Sequence, residues 1–165
     1  MSTPLVCVMG VSAAGKSTVG TALAETLGLP FADADGLHPA ANTAKMNAGT
    51  PLTDDDRWPW LDAVGAAFAS ASGTGLVMAC SALRRVYRDR IRAVAPDVVF
   101  VHLTGSRELL ASRAAARTDH FMPASLLDSQ LATLEDLEPD EAGFDVIVDR
   151  APDLLVAEAV ERLRD

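Results

Sequence analysis

Short apolar runs alternate along the chain with longer stretches whose apolar residues return every three or four positions. Leu5–Met9 reads as a buried strand, and Phe31–Asp33, Leu76–Cys80, Val98–Leu103 and Val146–Val148 as four more. From Lys16 to Leu27 the apolar positions Val19, Leu23 and Leu27 share one helical face, and the pattern stops at Gly28 with Pro30 just beyond. Further helices are expected over 39–48, 56–72, 84–94, 106–116, 123–136 and 152–164. Strands that alternate with helices in this way predict an α/β fold, with a five-stranded parallel sheet between two helical layers.

Two stretches interrupt the alternation. Asp35–Asp56 is polar and broken by Pro39, Gly49 and Pro51, which suits a small substrate cap. Arg117–Ser125 separates two helices with a charged, aromatic-bearing loop of the kind used as a lid. No repeat, low-complexity tract or linker divides the 165 residues, so one domain over 1–165 is expected. Hydrophobic residues at 49% and charged residues at 22% are ordinary globular usage. No apolar run approaches the 18 or so residues of a membrane span, and the start of the chain lacks a secretory pattern; a cytoplasmic protein is expected. Cys7 and Cys80 lie inside strand-like runs and read as small core residues.

A net charge of −9 disfavours nucleic acid or an anionic membrane as a partner. The charge is unevenly spread. Between Ser81 and Arg117 eight arginines face three acids, so this segment carries +5 and the remainder −14. Arg88, Arg90 and Arg92 read as a solvated helix face. The chain has only two lysines, Lys16 and Lys45.

The chemistry centres on Gly10, Val11, Ser12, Ala13, Ala14, Gly15, Lys16 and Ser17, a complete G-x-x-x-x-G-K-[ST] motif set between a buried strand and an amphipathic helix. That context defines a P-loop NTPase fold. The glycines let successive N–H groups, through Thr18, face phosphate oxygens at the positive end of a helix. Lys16 supplies a point charge to the β- and γ-phosphates, and Ser17 a hydroxyl for Mg²⁺. The cofactors expected are therefore ATP and Mg²⁺. Asp33-Ala34-Asp35-Gly36 also satisfies the D-x-x-G pattern of a GTPase, but no N-K-x-D base-reading motif accompanies it. Asp33 and Asp35, at i and i+2 past the end of a strand, instead suit a small-molecule kinase, with Asp33 toward the metal and Asp35 orienting the acceptor hydroxyl.

From Asp33 onward the chain resembles the gluconate kinase family of short P-loop kinases, relatives in fold of shikimate kinase. The resemblance rests on Asp33 to Pro39, Asn42, Lys45-Met46, Gly49, Pro51-Leu52, Asp54 to Leu61, Cys80 to Arg85 with Tyr87 to Asp89, Ser112-Arg113 through Arg117, His120-Phe121 and Ser129-Gln130. With the P-loop these blocks span roughly residues 6 to 135. The resemblance implies phosphorylation of D-gluconate at its 6-hydroxyl by ATP with Mg²⁺, in a homodimer. A kinase for another hydroxy acid, shikimate-type, and a catalytically silent ATP-binding module are the alternatives.

Gluconate has one carboxylate and a row of hydroxyls, so its pocket needs a cation and several hydrogen-bonding groups. Lys45, Arg57 and Arg85 are the candidate cations, Arg57 foremost. His38 and Ser81 are candidate hydroxyl contacts. Arg113 and Arg117, at i and i+4 near a helix end, suit nucleotide-side cations, Arg117 also as a catalytic one, with His120 and Gln130 as polar contacts of the closed lid. His102 reads as a core residue, and Trp58 and Trp60 as packing anchors. Asp119 stands where the family usually has glycine before the His-Phe pair.

Overall fold

The computed structural model describes residues 3–116 and 124–164. Its five strands are β1 (Leu5–Met9), β2 (Phe31–Asp33), β3 (Leu76–Ala79), β4 (Val99–Thr104) and β5 (Gly143–Ile147). They form one all-parallel sheet in the order β2-β3-β1-β4-β5, with Val6 opposite Val77 on one side and Val99 on the other. Central β1 is buried at all five positions. A parallel strand covered on both faces must read as a continuous apolar run, and LVCVM does.

Alternate residues of the strands feed two cores. On one face Val6, Val8, Val77, Val101 and Leu103 meet Val19 and Leu23 of α1 (Lys16–Leu27), Leu110 of α5 (Arg107–Ala116), Leu127 of α6 (Ala124–Thr133) and Leu155 of α7 (Pro152–Arg164). On the other, Cys7, Met9, Met78, Cys80 and Phe100 meet Leu61, Val64 and Phe68 of α3 (Asp54–Ser70) and Tyr87 and Ile91 of α4 (Arg85–Val94). The expected three-layer architecture follows from this alternation. Both cysteines are buried and free, and His102 is a core residue, its Nδ1 3.1 Å from an Asp145 oxygen.

Most elements fall within two or three residues of their expected bounds. In α3 the helix begins two residues early, at Asp54, because Thr53 and Asp56 close a capping box. β5 starts three residues before the expected strand. It is a half-exposed edge whose Gly143 and Asp145 break up the apolar signal, and Gly143 is required because a side chain there would collide with the Phe100 carbonyl. The 35–56 stretch contains a 3-10 turn (Ala34–Leu37) and the short helix α2 (Ala40–Asn47) ahead of α3. Among the described residues no helix is long and apolar enough to cross a membrane.

The arginine-rich helix α4 corrects an expectation. Arg90 does face solvent, paired with Asp62, and Arg92 is largely covered, but Arg88 is 0% exposed. Its Nε and Nη2 donate to the two oxygens of Glu141 at 2.7 and 3.1 Å, Nη1 donates to the Ala82 carbonyl at 2.8 Å, and Nη2 reaches the Asp136 carbonyl at 3.3 Å. Helical periodicity could place Arg88 beside the buried Tyr87 and Ile91 but could not supply a partner 53 residues away. Burial pushes the Glu141 carboxyl up, yet hydrogen bonds from Arg88, the Glu138 N–H and Arg92 outweigh it and bring it down to about 2 from an ordinary 4.5.

Breaking such a pair strands a buried charge. Arg88→Met is expected to cost about 3–5 kcal/mol in urea denaturation at pH 7. Because the folded pKa of Glu141 is depressed, its contribution is complete above pH 4.5 and lost as pH falls toward 2. Wild-type stability should therefore fall more steeply across that window than that of Glu141→Gln; parallel curves would contradict the assignment.

Candidate active site

Strand β1 runs into the loop 10–15 and α1 leaves it, so the loop crosses the carboxyl edge of the sheet, where α/β folds take ligands. Gly10 has φ 148°, and a Cβ there would lie 2.7 Å from the Leu103 carbonyl. Gly15 has φ 88°, and a Cβ there would meet Arg113 Nη2 at 2.8 Å. Ala13 and Ala14 point into the core, at 4% and 0% exposure. Their small size is a packing requirement, which explains a loop without further glycines. Gly15 is the N-cap of α1 and no side chain caps the helix, so its first N–H groups are aimed at the loop. Lys16 arches back, its Nζ donating to the carbonyls of Gly10 at 3.0 Å and Val11 at 3.2 Å.

Three neighbours hold this loop. The Ser81 carbonyl accepts from the Gly10 N–H at 3.3 Å. Arg113 Nε donates to the Ala13 carbonyl at 3.2 Å, which sets this guanidinium against the cradle. Gln130 Oε1 accepts from the Ser12 N–H at 2.8 Å while its Nε2 donates to Ser12 Oγ at 2.7 Å. Gln130 was expected at a lid or substrate; here it meets the cradle itself.

Ser17 Oγ donates to Asp33 Oδ2 at 3.0 Å, across α1 and β2. A hydroxyl and a carboxylate already juxtaposed at an exposed position beside a phosphate cradle are a fitting donor set for Mg²⁺. Asp33 Oδ1 meanwhile accepts from the Asp35 N–H at 3.0 Å and caps the 3-10 turn. β2 ends at Asp33, as expected, and the turn capped by the Asp33 side chain sets Asp35 on the exposed rim just past the strand. Thr18 is exposed on the first turn of α1.

His38 is stacked on Trp60, ring centroids 4.2 Å apart at 15°, so it does have an apolar face. Asn42 Nδ2 donates both to the Asp56 carbonyl at 2.8 Å and to His38 Nδ1 at 3.2 Å. A carbonyl can only accept, so the Asn42 atom is its nitrogen and His38 Nδ1 is an acceptor. Burial, with Arg57 nearby, pushes the His38 pKa down despite Asp35. The ring is neutral at pH 7 with its proton on Nε2, a donor. Trp60 is buried and donates to the Ala34 carbonyl at 2.7 Å, and Trp58 packs edge-on against Tyr87; both are anchors, as expected.

The three candidate cations differ. Arg57 lies 5.4 Å over the Tyr87 ring with Nη1 3.4 Å from Asp54. Lys45 pairs with Asp56 at 2.7 Å; that contact and the Thr53 N–H bring the Asp56 carboxyl down to about 2. Arg85 forms a two-point pair with Asp140 at 2.7 and 2.8 Å and also meets Glu138, turned toward the loop before β5. It is not brought together with Arg57. Arg84 is instead: its Nη1 donates to Asp54 at 2.8 Å and its guanidinium lies 5.5 Å from the Tyr87 ring, opposite Arg57 in the same cluster. Tyr87 OH donates to Asp54 at 2.5 Å. The sequence marks Arg84 and Tyr87 only as parts of a family block, since which of two adjacent arginines turns inward is decided by distant acids. Arg117 and His120 lie outside the described residues.

A phosphate cradle on α1, a hydroxyl–carboxylate pair beside it and a polar cap opposite define the class: a P-loop phosphotransferase. The "AAA domain" family model matches residues 5–137. A gluconokinase of Gluconobacter oxydans is 46% identical over 159 residues, 95% of this chain and 89% of that one. The crystal structure of a gluconokinase from Sinorhizobium meliloti superposes with a TM-score of 0.90 at 49% identity, covering 98% and 91% of the two chains. Shikimate kinase from Aquifex aeolicus shares the fold, with a TM-score of 0.60 at 16% identity over 96% and 95%. The chain belongs to the gluconokinase family.

The fit of Gly15 is directly testable. Gly15→Ala imposes both a left-handed φ on a side chain and a clash with Arg113. Affinity for a non-hydrolysable ATP analogue, measured by calorimetry, should fall about tenfold or more; unchanged affinity would show that the loop tolerates the Cβ.

Proposed function

We propose that this chain transfers the γ-phosphoryl group of ATP to the 6-hydroxyl of D-gluconate, giving 6-phosphogluconate and ADP. The observation that carries the proposal is the Gly10–Ser17 cradle joined through Ser17 to Asp33 at the start of the turn on which the cap packs by Trp60, in a chain that shares nearly half its residues with named gluconokinases. The acceptor oxygen forms a bond to γ-phosphorus, the bond to the β,γ-bridging oxygen breaks, and ADP leaves. Positioning and electrostatics supply most of the catalysis in such a transfer.

The cradle N–H groups from Val11 to Thr18 that are not engaged elsewhere hold the ATP phosphates, those of Ser12 and Ala14 being taken by Gln130 and the Val11 carbonyl. Lys16 exchanges its loop carbonyls for phosphate oxygens, a substitution that costs little because the ammonium already lies at the mouth of the loop. Ser17 and Asp33 would hold Mg²⁺, which would supply positive charge against the phosphates as transfer proceeds. Asp35, exposed on the rim, accepts a hydrogen bond from the acceptor hydroxyl and takes up its proton as transfer proceeds. His38 offers its Nε2–H to a substrate hydroxyl, and Ser81 lines the same side. Arg57 is the cation suited to the gluconate carboxylate, its contact with Asp54 being at 3.4 Å, whereas Lys45, Arg84 and Arg85 are each held by a carboxylate at 2.7 or 2.8 Å. Arg113, with Arg117 and His120 from the 117–125 stretch, serves the nucleotide side. We further propose a cytoplasmic homodimer of single-domain chains.

Purified protein should phosphorylate gluconate with MgATP in a coupled ADP-release assay and leave shikimate untouched; turnover with shikimate and none with gluconate would refute the acceptor assignment. Asp35→Asn should lower kcat about 10²-fold with ATP-analogue affinity near wild type. Unchanged turnover would remove Asp35 from the mechanism.

A further inference from the structure

We propose that Gln130 is a positioning residue for phosphoryl transfer, acting through Ser12 and not by touching the acceptor. The C=O of Val11 and the N–H of Ser12 belong to one planar peptide group. Lys16 Nζ donates to the carbonyl end of that plane at 3.2 Å, and Gln130 Oε1 accepts from its N–H end at 2.8 Å. The peptide is gripped from both sides, and the two grips have different fates. When Lys16 turns to the phosphates, as the reading of Gly10–Ser17 as an ATP cradle requires, the carbonyl side keeps only the Ala14 N–H, at 3.1 Å within the loop itself. Gln130 then keeps its orientation.

The residue type fits this task. Ser12 presents a donor, its N–H, and an acceptor, its Oγ, side by side, and Gln130 answers both at once with Oε1 and with Nε2 at 2.7 Å. A primary amide carries a donor and an acceptor side by side in one rigid plane, pointing the same way. Glutamate in its place would have no donor and would set a negative charge beside bound phosphates, whereas leucine fills the volume with neither. Gln130 is itself steadied: α6 is tied to α5 by a two-point pair of Arg107 with Asp128 at 2.7 and 3.1 Å, and one turn beyond α6 the Glu135 N–H donates to the Leu83 carbonyl at 2.7 Å. Two residues further along the cradle, the Ala13 carbonyl is taken by Arg113 from α5. With Ser81 on the Gly10 N–H, the loop thus has an external partner on alternate peptides, and the partner at Ser12 is the one of these that reads both backbone and side chain.

A double-mutant cycle tests this, with Gln130→Leu, Ser12→Ala and the pair compared with wild type. The readouts are kcat, KM for gluconate and affinity for a non-hydrolysable ATP analogue, with melting temperature as a check on folding. Gln130→Leu should lower kcat at least tenfold with KM for gluconate within twofold of wild type. Adding Ser12→Ala to it should cost less than twofold more, because the contact is already gone. A loss of more than twofold on adding Ser12→Ala to Gln130→Leu, or a rise in KM for gluconate with kcat intact, would overturn the proposal, since either means that Gln130 works independently of Ser12. Gln130→Glu, equal in length and shape, should weaken ATP-analogue binding more than Gln130→Leu does. An equal or smaller effect would count against a position beside the phosphates. If the wild-type protein binds the analogue but turns over no gluconate, the acceptor reading fails, and the same cycle on analogue affinity still decides the role of Gln130, coupled losses supporting it and independent ones refuting it.

Discussion

A guanidinium with no surface exposed to water must find all its partners inside the protein, and the way Arg88 does so organises this molecule. Its partners come from three places: Glu141 just before β5, Asp136 just after α6, and Ala82 in the loop that follows β3. Ala82 is the one described residue other than glycine with a positive φ, at 45°. A backbone angle of that kind costs on the order of 1 kcal/mol and persists only where surroundings insist on it. The hydrogen bond from Arg88 is what insists. Next to Ala82, the Ser81 carbonyl takes the first N–H of the phosphate cradle. From a buried ion pair to the nucleotide site is therefore three residues of chain and two hydrogen bonds. A hydrophobic side chain at position 88 could fill the space and avoid the desolvation cost, but it would leave the carbonyls of Ala82 and Asp136 without this donor.

The segment from Gln130 to Glu141 extends the same logic. Gln130 holds Ser12, Glu135 holds Leu83, Arg84 and the Arg85 N–H, Glu138 and Asp140 hold Arg85, and Glu141 holds Arg88 and Arg92. This acidic strip explains where the uneven charge of the chain goes. The arginines between 81 and 117 look in the sequence like a concentrated positive field for an anionic substrate. In the fold Arg84, Arg85, Arg88, Arg90, Arg92 and Arg107 all face carboxylates, and Arg113 faces carbonyls. The local field at the cradle is left to Lys16 and to the N–H groups at the start of α1, which are fixed in place before any ligand arrives.

What could be read from the sequence was local. β1, the glycine loop and α1 form one continuous signal, because burial, left-handed glycines and helix period all act within a few residues. The capping box at Thr53 and Asp56 is equally local, though the helix was expected to start only at 56. The features that escaped depend on separation along the chain. Arg88 resembles a surface arginine until Glu141 is folded against it, and Arg84 and Arg85 are indistinguishable until Asp54 claims one and Asp140 the other. His38 lacks a neighbour in sequence that would stack on it; Trp60 comes from the next helix but one. Asp35 lies past the strand end expected at Asp33, but the 3-10 turn that the Asp33 side chain holds there has no sequence signal of its own.

The account stands or falls on where the phosphoryl group goes. Phosphorus and carbon NMR of the product formed from MgATP and carbon-13-labelled gluconate reads that directly. A new phosphomonoester resonance coupled to C6, growing in step with ADP, is the predicted result. Phosphate on another carbon, or release of inorganic phosphate without any monoester, would contradict an acceptor site built between the Asp33–Asp35 turn and the Arg57 cap.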